Sequence, residues 1–429
     1  MTTTIEVRIW GQRVGAVAAD PRLGAYVFGY DPKWLKKKID LAPRMMPIAT
    51  YRPPGHAFPA LSRDSFFGLP GLLSDALPDA FGNALIDAWM ATHGVDKAGI
   101  TTLHRLAYMG KRGLGALEFK PSKGAFKDNQ APLKMQTLVE TARLVVQGNL
   151  SDDPMAKAAL AQIIRVGTSA GGARAKAVIA WNPDTGEIRS GQFDVAPGFE
   201  HWLLKFDGVG MDFELGTRAH YGRVEYAYHL MARAAGIDMS PCRLLTENGR
   251  AHFMTRRFDR ENNKKHHVQT LCAMSHLNYK QRATHSYAQA FMTIADLKLS
   301  PQAIDQLFLR MTFNVLARNC DDHTKNLAFR LKEGGEWELS PAYDVTHAYN
   351  PKGEWTYQHL MSVNDKFDNI TRADLLLEAS RFSVRAPERL ISDVSSALGS
   401  WDEFAQVAGL ADRHRDAIRR DFRPAANSK

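Results

Sequence analysis

The first part of the chain alternates between apolar and polar positions in three short runs. These runs are "TIEVRIW", "RVGAVAA" and "GAYVFGY", and turn residues such as Gly11 separate them. Alternation with a period of two is typical of strands that have one buried face. The pattern therefore predicts a small antiparallel sheet at the N-terminus, and "GALEFKPS" predicts a further strand.

Helical spacing of apolar residues follows over 80–92, 100–109 and 134–147, with another helix expected over 153–163. "AKAVIAW" and "HWLLKF", on either side of the turn at 182–186, predict two strands. A helix over 222–236 is expected to end at Gly236, and "ENGRAHFMTRRF" predicts a turn and a strand. The polar segment "KGAFKDNQAP" indicates a boundary near residue 124, and the pattern beyond residue 268 is mostly helical.

The segment "NCDDHTKN" follows an apolar run, 304–317, that predicts a buried helix. If residues 321–326 were helical too, Asp321 and Asn326 would lie about 140° apart around the axis, so we expect a loop. "NLAFRL", "KEGG" and "EWELS" then match a β-hairpin. Because a hairpin returns to its starting end, Asp344 is expected beside Asn326.

Two carboxylates and a carboxamide at one place suit phosphoryl-transfer chemistry. Mg²⁺ takes oxygen ligands and keeps positions for water and phosphate, while a second carboxylate can accept a proton from an attacking hydroxyl. The alternative is that Asp321 or Asp322 caps a helix and Asp344 holds a turn. That explanation fits each residue alone, but the hairpin-consistent spacing of all three favours a site.

A glycine-rich stretch, "VGTSAGGARAKAVIAW", precedes the second group of strands. Its backbone N–H groups could cradle phosphate, although a plain β-turn explains such a stretch more often than not and no Walker loop is present. Lys205 lies in the otherwise apolar "WLLKF", and Glu225 on the following helix could pair with it. A lysine in that setting is explained by a phosphate and a carboxylate, or else it is incidental and exposed.

Composition narrows the class of protein. The chain has 429 residues, 45% of them hydrophobic and 24% charged, and its net charge is +9, which favours acidic or phosphate-bearing partners. Cys242, Cys272 and Cys320 have no CxxC spacing, which favours free thiols. No signal-type segment and no apolar run of about 18 residues occurs, so we expect a cytoplasmic protein that does not enter membranes.

The order of these motifs resembles the HipA family of bacterial toxin kinases. The resemblance covers nearly the whole chain, through "GLPGLLSDALPDAFGNALI", "TSAGGARAK", "HWLLKF", "FMTRRFDR", "NCDDHTKN" and "LSPAYDV". It implies an α+β, protein-kinase-like two-lobed fold with an added N-terminal small-sheet subdomain. The implied parts are that subdomain over 1–124, an N-lobe over 125–255 and a mostly helical C-lobe over 256–429.

The resemblance also implies roles for individual residues. Asp321 would be the catalytic base, and Asn326 and Asp344 would hold Mg²⁺. Ser169 would be an inhibitory autophosphorylation site. The remaining residues implied for ATP are those of the glycine-rich loop, the strand lysine, the hinge and the catalytic loop: Gly171, Gly172, Ala173, Arg174, Ala175, Lys176, Lys205, Arg256, Phe258, His323 and Lys325.

The implied activity is that of a serine/threonine protein kinase, the toxin of a type II toxin–antitoxin module. Its implied partners are a protein substrate, with an aminoacyl-tRNA synthetase as one candidate, and a small helix-turn-helix antitoxin that contacts operator DNA. The segment 266–280 departs from the best-known toxins, so the substrate is open. Alternatives are a weakly catalytic corepressor subunit, a small-molecule phosphotransferase, and a metal-dependent phosphohydrolase built on "DDH" and "HH".

Overall fold

The computed structural model describes residues 4–122, 131–147, 160–161, 163–164, 166–167, 174–209 and 220–423. Within them the strands are β1 Thr4–Ile9, β2 Gln12–Asp20, β3 Ala25–Tyr30, β4 Leu117–Lys120, β5 Lys176–Trp181, β6 Ile188–Ser190, β7 Glu200–Lys205, β8 Cys242–Glu247, β9 Arg250–Arg256, β10 Arg260–Glu261, β11 Lys264–Lys265, β12 His267–Thr270, β13 His285–Ser286, β14 Ala328–Leu331, β15 Trp337–Leu339 and β16 Met361–Ser362.

The α-helices of the same residues are α1 Pro32–Leu35, α2 Arg63–Phe66, α3 Gly71–Ser74, α4 Ala80–Ala91, α5 Thr102–Met109, α6 Met135–Gln147, α7 Tyr221–Ala234, α8 Leu271–Ser275, α9 Tyr287–Asp296, α10 Pro301–Leu316, α11 Arg372–Arg381, α12 Pro387–Gly399, α13 Trp401–Val407 and α14 Asp412–Asp421. Among the residues described, none of these helices is long and apolar enough to cross a lipid bilayer.

The chain divides into two compact units. The first comprises Met1–Gly210, Met254–Asn278 and Arg330–Gly335, and the second comprises Met211–Phe253, Tyr279–Phe329 and Glu336–Lys429. The predicted division at residues 124 and 255 stays a prediction.

The N-terminal sheet of the first unit confirms the predicted alternation. Its strand order is β3-β2-β1-β4, and the β1–β2 and β1–β4 pairs are antiparallel. Ile5, Val7 and Ile9 are fully buried on one face of β1, while the residues between them are partly exposed. Burial of that apolar face, rather than strand propensity, fixes the register of the sheet.

A second sheet in the first unit contains the two predicted strands. β5 pairs antiparallel with both β6 and β7. The turn over 182–186 is confirmed, since the carboxamide oxygen of Asn182 accepts from the backbone N–H groups of Asp184 and Thr185. This sheet carries Lys176 and Lys205.

A buried charge cluster explains the "RRFDR" segment of the first unit. Asp259 is 1% exposed and accepts from Arg257 at 2.6 Å, from Arg260 at 2.7 Å and from the backbone N–H of Gly115 at 2.8 Å. Burial alone would raise the pKa of Asp259, but the two guanidinium groups hold it well below its usual range. The cluster ties this segment to the residues before β4.

The second unit is mostly helical and is organised around aromatic side chains. Tyr228 of α7 meets the rings of Phe313 and Trp401 edge-on, with centroids 6.0 and 5.6 Å away. Its hydroxyl donates to the carbonyl of Ala317 at 2.6 Å. That bond fixes the end of the long helix α10, from which the "NCDDHTKN" segment departs. The predicted helix 304–317 is thus confirmed, with a start at Pro301.

The predicted loop and hairpin are also confirmed. Residues 321–326 are neither helix nor strand, and β14 and β15 are neighbours joined through the glycines of "KEGG". The backbone N–H of Ser340 donates to the carbonyl of Ala328 at 3.0 Å, which brings the end of the hairpin back to its beginning. The predicted helix over 153–163 falls largely outside the described residues.

Candidate active site

The loop that follows α10 is held at both ends by backbone bonds. The N–H of Cys320 donates to the carbonyl of Ala348 at 3.1 Å, and the N–H of Asn326 donates to the carbonyl of His323 at 2.8 Å. Inside the loop, the carboxamide N–H of Asn326 donates to the backbone carbonyl of Asp321 at 2.7 Å. The side chain of Asn326, the expected metal ligand, is therefore bonded to the backbone of Asp321, the expected base.

Asp344 reaches the same place, as the hairpin predicted. Asn326 and Asp344 line one small cavity of about 30 Å³ in the second unit. The hydroxyl of Tyr343 donates to the carbonyl of Lys325 at 2.6 Å and so fastens the "PAYD" segment to the loop. Asp344 has a φ of 52°, a left-handed conformation that non-glycine residues adopt rarely and that often marks functional positions.

The two adjacent aspartates differ sharply in exposure. The side chain of Asp321 is 48% exposed, as a base that must meet an incoming hydroxyl requires, whereas that of Asp322 is 1% exposed. Asp322 accepts from the hydroxyl of Tyr287 and the ring of His359, both at 2.9 Å, and from the backbone N–H of Leu360 at 2.7 Å. No role for Asp322 was assigned from the sequence, because all three donors come from distant parts of the chain.

His323 and Lys325 lie on the more exposed side of the loop. His323 Nε2 is 3.8 Å from a carboxylate oxygen of Asp321. Tyr279 contacts both basic residues, with its ring 5.4 Å from that of His323 and 4.6 Å from Lys325 Nζ. Tyr279 belongs to the segment 266–280 that departs from the best-known toxins, and its contact with the loop was not predicted.

In the first unit, the sheet register places two lysines opposite each other. Lys176 and Lys205 are a direct pair between β5 and β7, so their side chains share one face of the sheet. They are 2% and 8% exposed. Two buried ammonium groups on one face are costly unless hydrogen bonds or negative charge satisfy them. The sequence named both lysines but gave no sign that they are paired.

Several predicted residues of the first unit take defined places. Arg174 is partly exposed and Ala175 is buried, directly before β5. Arg256 ends β9 with a half-exposed side chain 3.3 Å from Glu200, and the carbonyl of Phe258 accepts from Arg330 at 2.8 Å. The predicted Ser169, Gly171, Gly172 and Ala173 lie outside the described residues.

Glu225 lies on α7 in the second unit and is 1% exposed. A carboxylate so deeply buried needs a partner. Its predicted pairing with Lys205 of the first unit stays a prediction, as do the hinge and phosphate-binding roles.

The donor atoms fit Mg²⁺. Since the carboxamide nitrogen of Asn326 is committed to Asp321, its oxygen is the atom that would bind a metal, together with the carboxylate of Asp344. Mg²⁺ is commonly held by one or two carboxylates plus substrate phosphates and water. Within the described ranges, no group of three or more His, Cys, Asp and Glu side chains is placed to hold a metal ion.

Family models match most of the chain. Residues 168–422 match the HipA-like C-terminal domain, and residues 5–120 match the HipA N-terminal domain. The chain belongs to the HipA family. Membership places it among the HipA-like toxin kinases of toxin–antitoxin systems. The predicted fold class, α+β with a small N-terminal sheet and a mostly helical C-terminal part, is confirmed.

A chain of the Shewanella oneidensis MR-1 toxin–antitoxin complex of HipA, HipB and operator DNA has a similar fold. The two chains share 16% identity over 97% of this HipA-family chain and 94% of that one, with a TM-score of 0.62. The Helicobacter pylori proinflammatory kinase CtkA matches at 12% identity over 52% of this chain and 88% of its own, but its TM-score of 0.34 is too low to indicate a shared fold. Among curated protein sequences there is no match.

Proposed function

We infer that this chain is an ATP- and Mg²⁺-dependent serine/threonine protein kinase that acts in the cytoplasm as the toxin of a type II toxin–antitoxin module. The observation that carries the proposal is the loop geometry. An exposed Asp321 is connected through its own carbonyl to Asn326, and Asn326 shares a cavity with Asp344.

In this proposal each residue has a distinct task. The carboxylate of Asp321 accepts the proton of the substrate hydroxyl as that oxygen attacks the γ-phosphorus of ATP, whose bond to the β,γ-bridging oxygen breaks so that ADP leaves. Asn326 and Asp344 would hold Mg²⁺, which supplies positive charge to the phosphate oxygens. Lys176 and Lys205 provide further positive charge for the nucleotide phosphates. Such transfer depends mainly on positioning and charge neutralisation, which is what this set of residues offers.

We place regulation and partners in the same proposal. Ser169 would accept a phosphate from the kinase itself, and the added negative charge in the glycine-rich loop would oppose ATP binding. A small, HipB-like helix-turn-helix antitoxin would hold the toxin and contact operator DNA. Support comes from the S. oneidensis HipA, HipB and DNA complex and from the net charge of +9. The substrate would be a cellular protein, with an aminoacyl-tRNA synthetase as one candidate.

The decisive experiment follows labelled γ-phosphate. The wild-type protein should label itself and at least one protein of a cell lysate, and Asp321→Ala should abolish both signals. Asp393→Ala is a matched control, because Asp393 is similarly exposed, at 44%, but lies on α12. If small metabolites are labelled and proteins are not, the chain is a small-molecule phosphotransferase instead. If Asp321→Ala transfers the label at the wild-type rate, Asp321 is not the base.

Mass spectrometry of the self-labelled protein tests the regulatory part. The phosphate is expected on Ser169, and phosphate on other residues with Ser169 unmodified would refute autoinhibition through this loop. Phosphoproteomics after induction, with Asp344→Ala as the inactive control, would identify the substrate.

A further inference from the structure

Asp322 is the centre of a buried hydrogen-bond network that the proposed mechanism does not use. Its carboxylate accepts three bonds, from the hydroxyl of Tyr287 at 2.9 Å, from Nδ1 of His359 at 2.9 Å and from the N–H of Leu360 at 2.7 Å. The side chains of Asp322 and His359 are each 1% exposed. A buried carboxylate is retained at low cost only when its oxygens are satisfied in this way.

His359 is held on its other side as well. Its Nε2 lies 3.8 Å from Cys320 Sγ, and its backbone N–H donates to the carbonyl of Phe367 at 2.8 Å. Burial alone would lower the pKa of His359, but the Asp322 carboxylate outweighs it and raises the pKa to about 10. That direction favours the protonated ring, which can donate from both nitrogens. It joins the residues on either side of Asp321, namely Cys320 and Asp322.

A second layer extends the network into the helices. The hydroxyl of Tyr287, at the start of α9, accepts from the carboxamide of Asn314 on α10 at 2.9 Å. Asn314 in turn accepts from the carboxamide of Asn319 at 2.9 Å. The loop is thus connected to two helices through side chains alone, in addition to its backbone bonds.

We propose that Asp322 and His359 are positioning residues for the catalytic loop: the buried pair fixes the backbone at residue 322 and so determines where the neighbouring Asp321 presents its carboxylate. The inference deepens the proposed kinase function and rests on it. Asp321 touches the reacting groups, whereas Asp322 and His359 act through it. Because a misplacement of about 1 Å can cost roughly 100-fold in rate, loss of the anchor should appear in kcat.

The test compares three variants at a temperature where each is folded. Asp322→Ala should lower kcat at least about 100-fold while KM for ATP changes less than about threefold. Asp322→Asn should recover at least about tenfold of that loss, because its carboxamide oxygen can still accept from Leu360. Tyr287→Phe removes one of three donors and should lower kcat about three- to tenfold. The Tyr287→Phe variant keeps the test valid if Asp322→Ala does not fold.

Two control variants separate positioning from general destabilisation. Asp79 is also a buried aspartate, 8% exposed, but it caps α4 in the first unit, where it accepts from the backbone N–H of Gly82 at 2.6 Å. Tyr30 also has a buried hydroxyl bond, to Met46 at 3.0 Å in the first unit. Asp79→Ala and Tyr30→Phe should leave kcat within about twofold of the wild type.

A second measurement does not depend on catalysis. Hydrogen exchange of peptides covering 319–327 should speed up in Asp322→Ala and Tyr287→Phe and stay unchanged in both control variants. Wild-type kcat and unchanged exchange in those two variants would overturn the inference, and so would an equal loss of kcat in the controls. A wild-type protein without kinase activity would refute the proposed function, and the exchange measurement would then decide the anchoring role by itself.

Discussion

Asn326 combines two tasks that a single substitution can separate. Its carboxamide N–H donates to the carbonyl of Asp321 at 2.7 Å, and its oxygen is the expected metal ligand. Asn326→Asp keeps the shape and the oxygen ligand but cannot donate. The variant should therefore lose the connection to Asp321 and keep, or strengthen, the affinity for Mg²⁺.

The size of the effect follows from the bond that is lost. Leaving a partly buried carbonyl without its donor costs about 1–3 kcal/mol. If the whole cost falls on the transition state, kcat drops roughly five- to 150-fold. The Mg²⁺ concentration at half-maximal rate should be equal to that of the wild type or lower, because the new side chain adds a negative charge to the site.

The assay is a titration of labelled phosphate transfer with Mg²⁺ at saturating ATP. Asn263→Asp is the matched control, because the carboxamide of Asn263 makes the same type of bond, to the carbonyl of Val195 at 3.1 Å, in the first unit. Its kcat should stay within about twofold of the wild type. A wild-type kcat for Asn326→Asp at saturating Mg²⁺, with only the Mg²⁺ requirement increased, would refute the role of the Asp321 bond.

Two further predictions concern stability. Asp259→Asn should lower the free energy of unfolding by about 3–5 kcal/mol in urea denaturation, because Arg257 and Arg260 lose their buried counter-charge; a loss below about 1 kcal/mol would contradict this. The free energy of unfolding should also fall as the pH decreases from about 6.5 to 4. Each buried histidine whose folded pKa is lowered by burial should contribute about 1.4 kcal/mol per pH unit, because in that range the unfolded state binds a proton that the folded state does not. Burial lowers the pKa to about 4 for His201, His229, His267 and His276. A flat pH dependence over that range, followed by urea midpoint, would refute their neutral state.

The parts of the fold that were predictable from the sequence are those set by local patterns. Alternation over β1–β3, the apolar run of α10 and the glycines of "KEGG" each act within a few residues, and the structure confirms the elements they predicted. The hairpin is the most informative case. It converts a separation of 18 positions between Asn326 and Asp344 into proximity, because the geometry of a hairpin is independent of the rest of the fold.

Features that depend on long-range register were not predictable. Lys176 and Lys205 face each other because β5 pairs with β7 as well as with its sequence neighbour β6, and no local pattern specifies that pairing. Tyr343 bonds to Lys325 and His359 bonds to Asp322, in each case from a position far along the chain from the loop. The roles of Asp322 and Tyr279 required the folded chain for the same reason.

The composition of the two units has a consequence for synthesis. The first unit needs Met254–Asn278 and Arg330–Gly335 in addition to Met1–Gly210, so no single cut in the gene yields either unit as one continuous segment. During translation, the first unit cannot be completed until residue 335 has been made. At roughly 5–20 residues per second, that is about 6–25 s after residue 210. Throughout that interval the nascent chain lacks part of its first unit, although residues 1–210 have already been made.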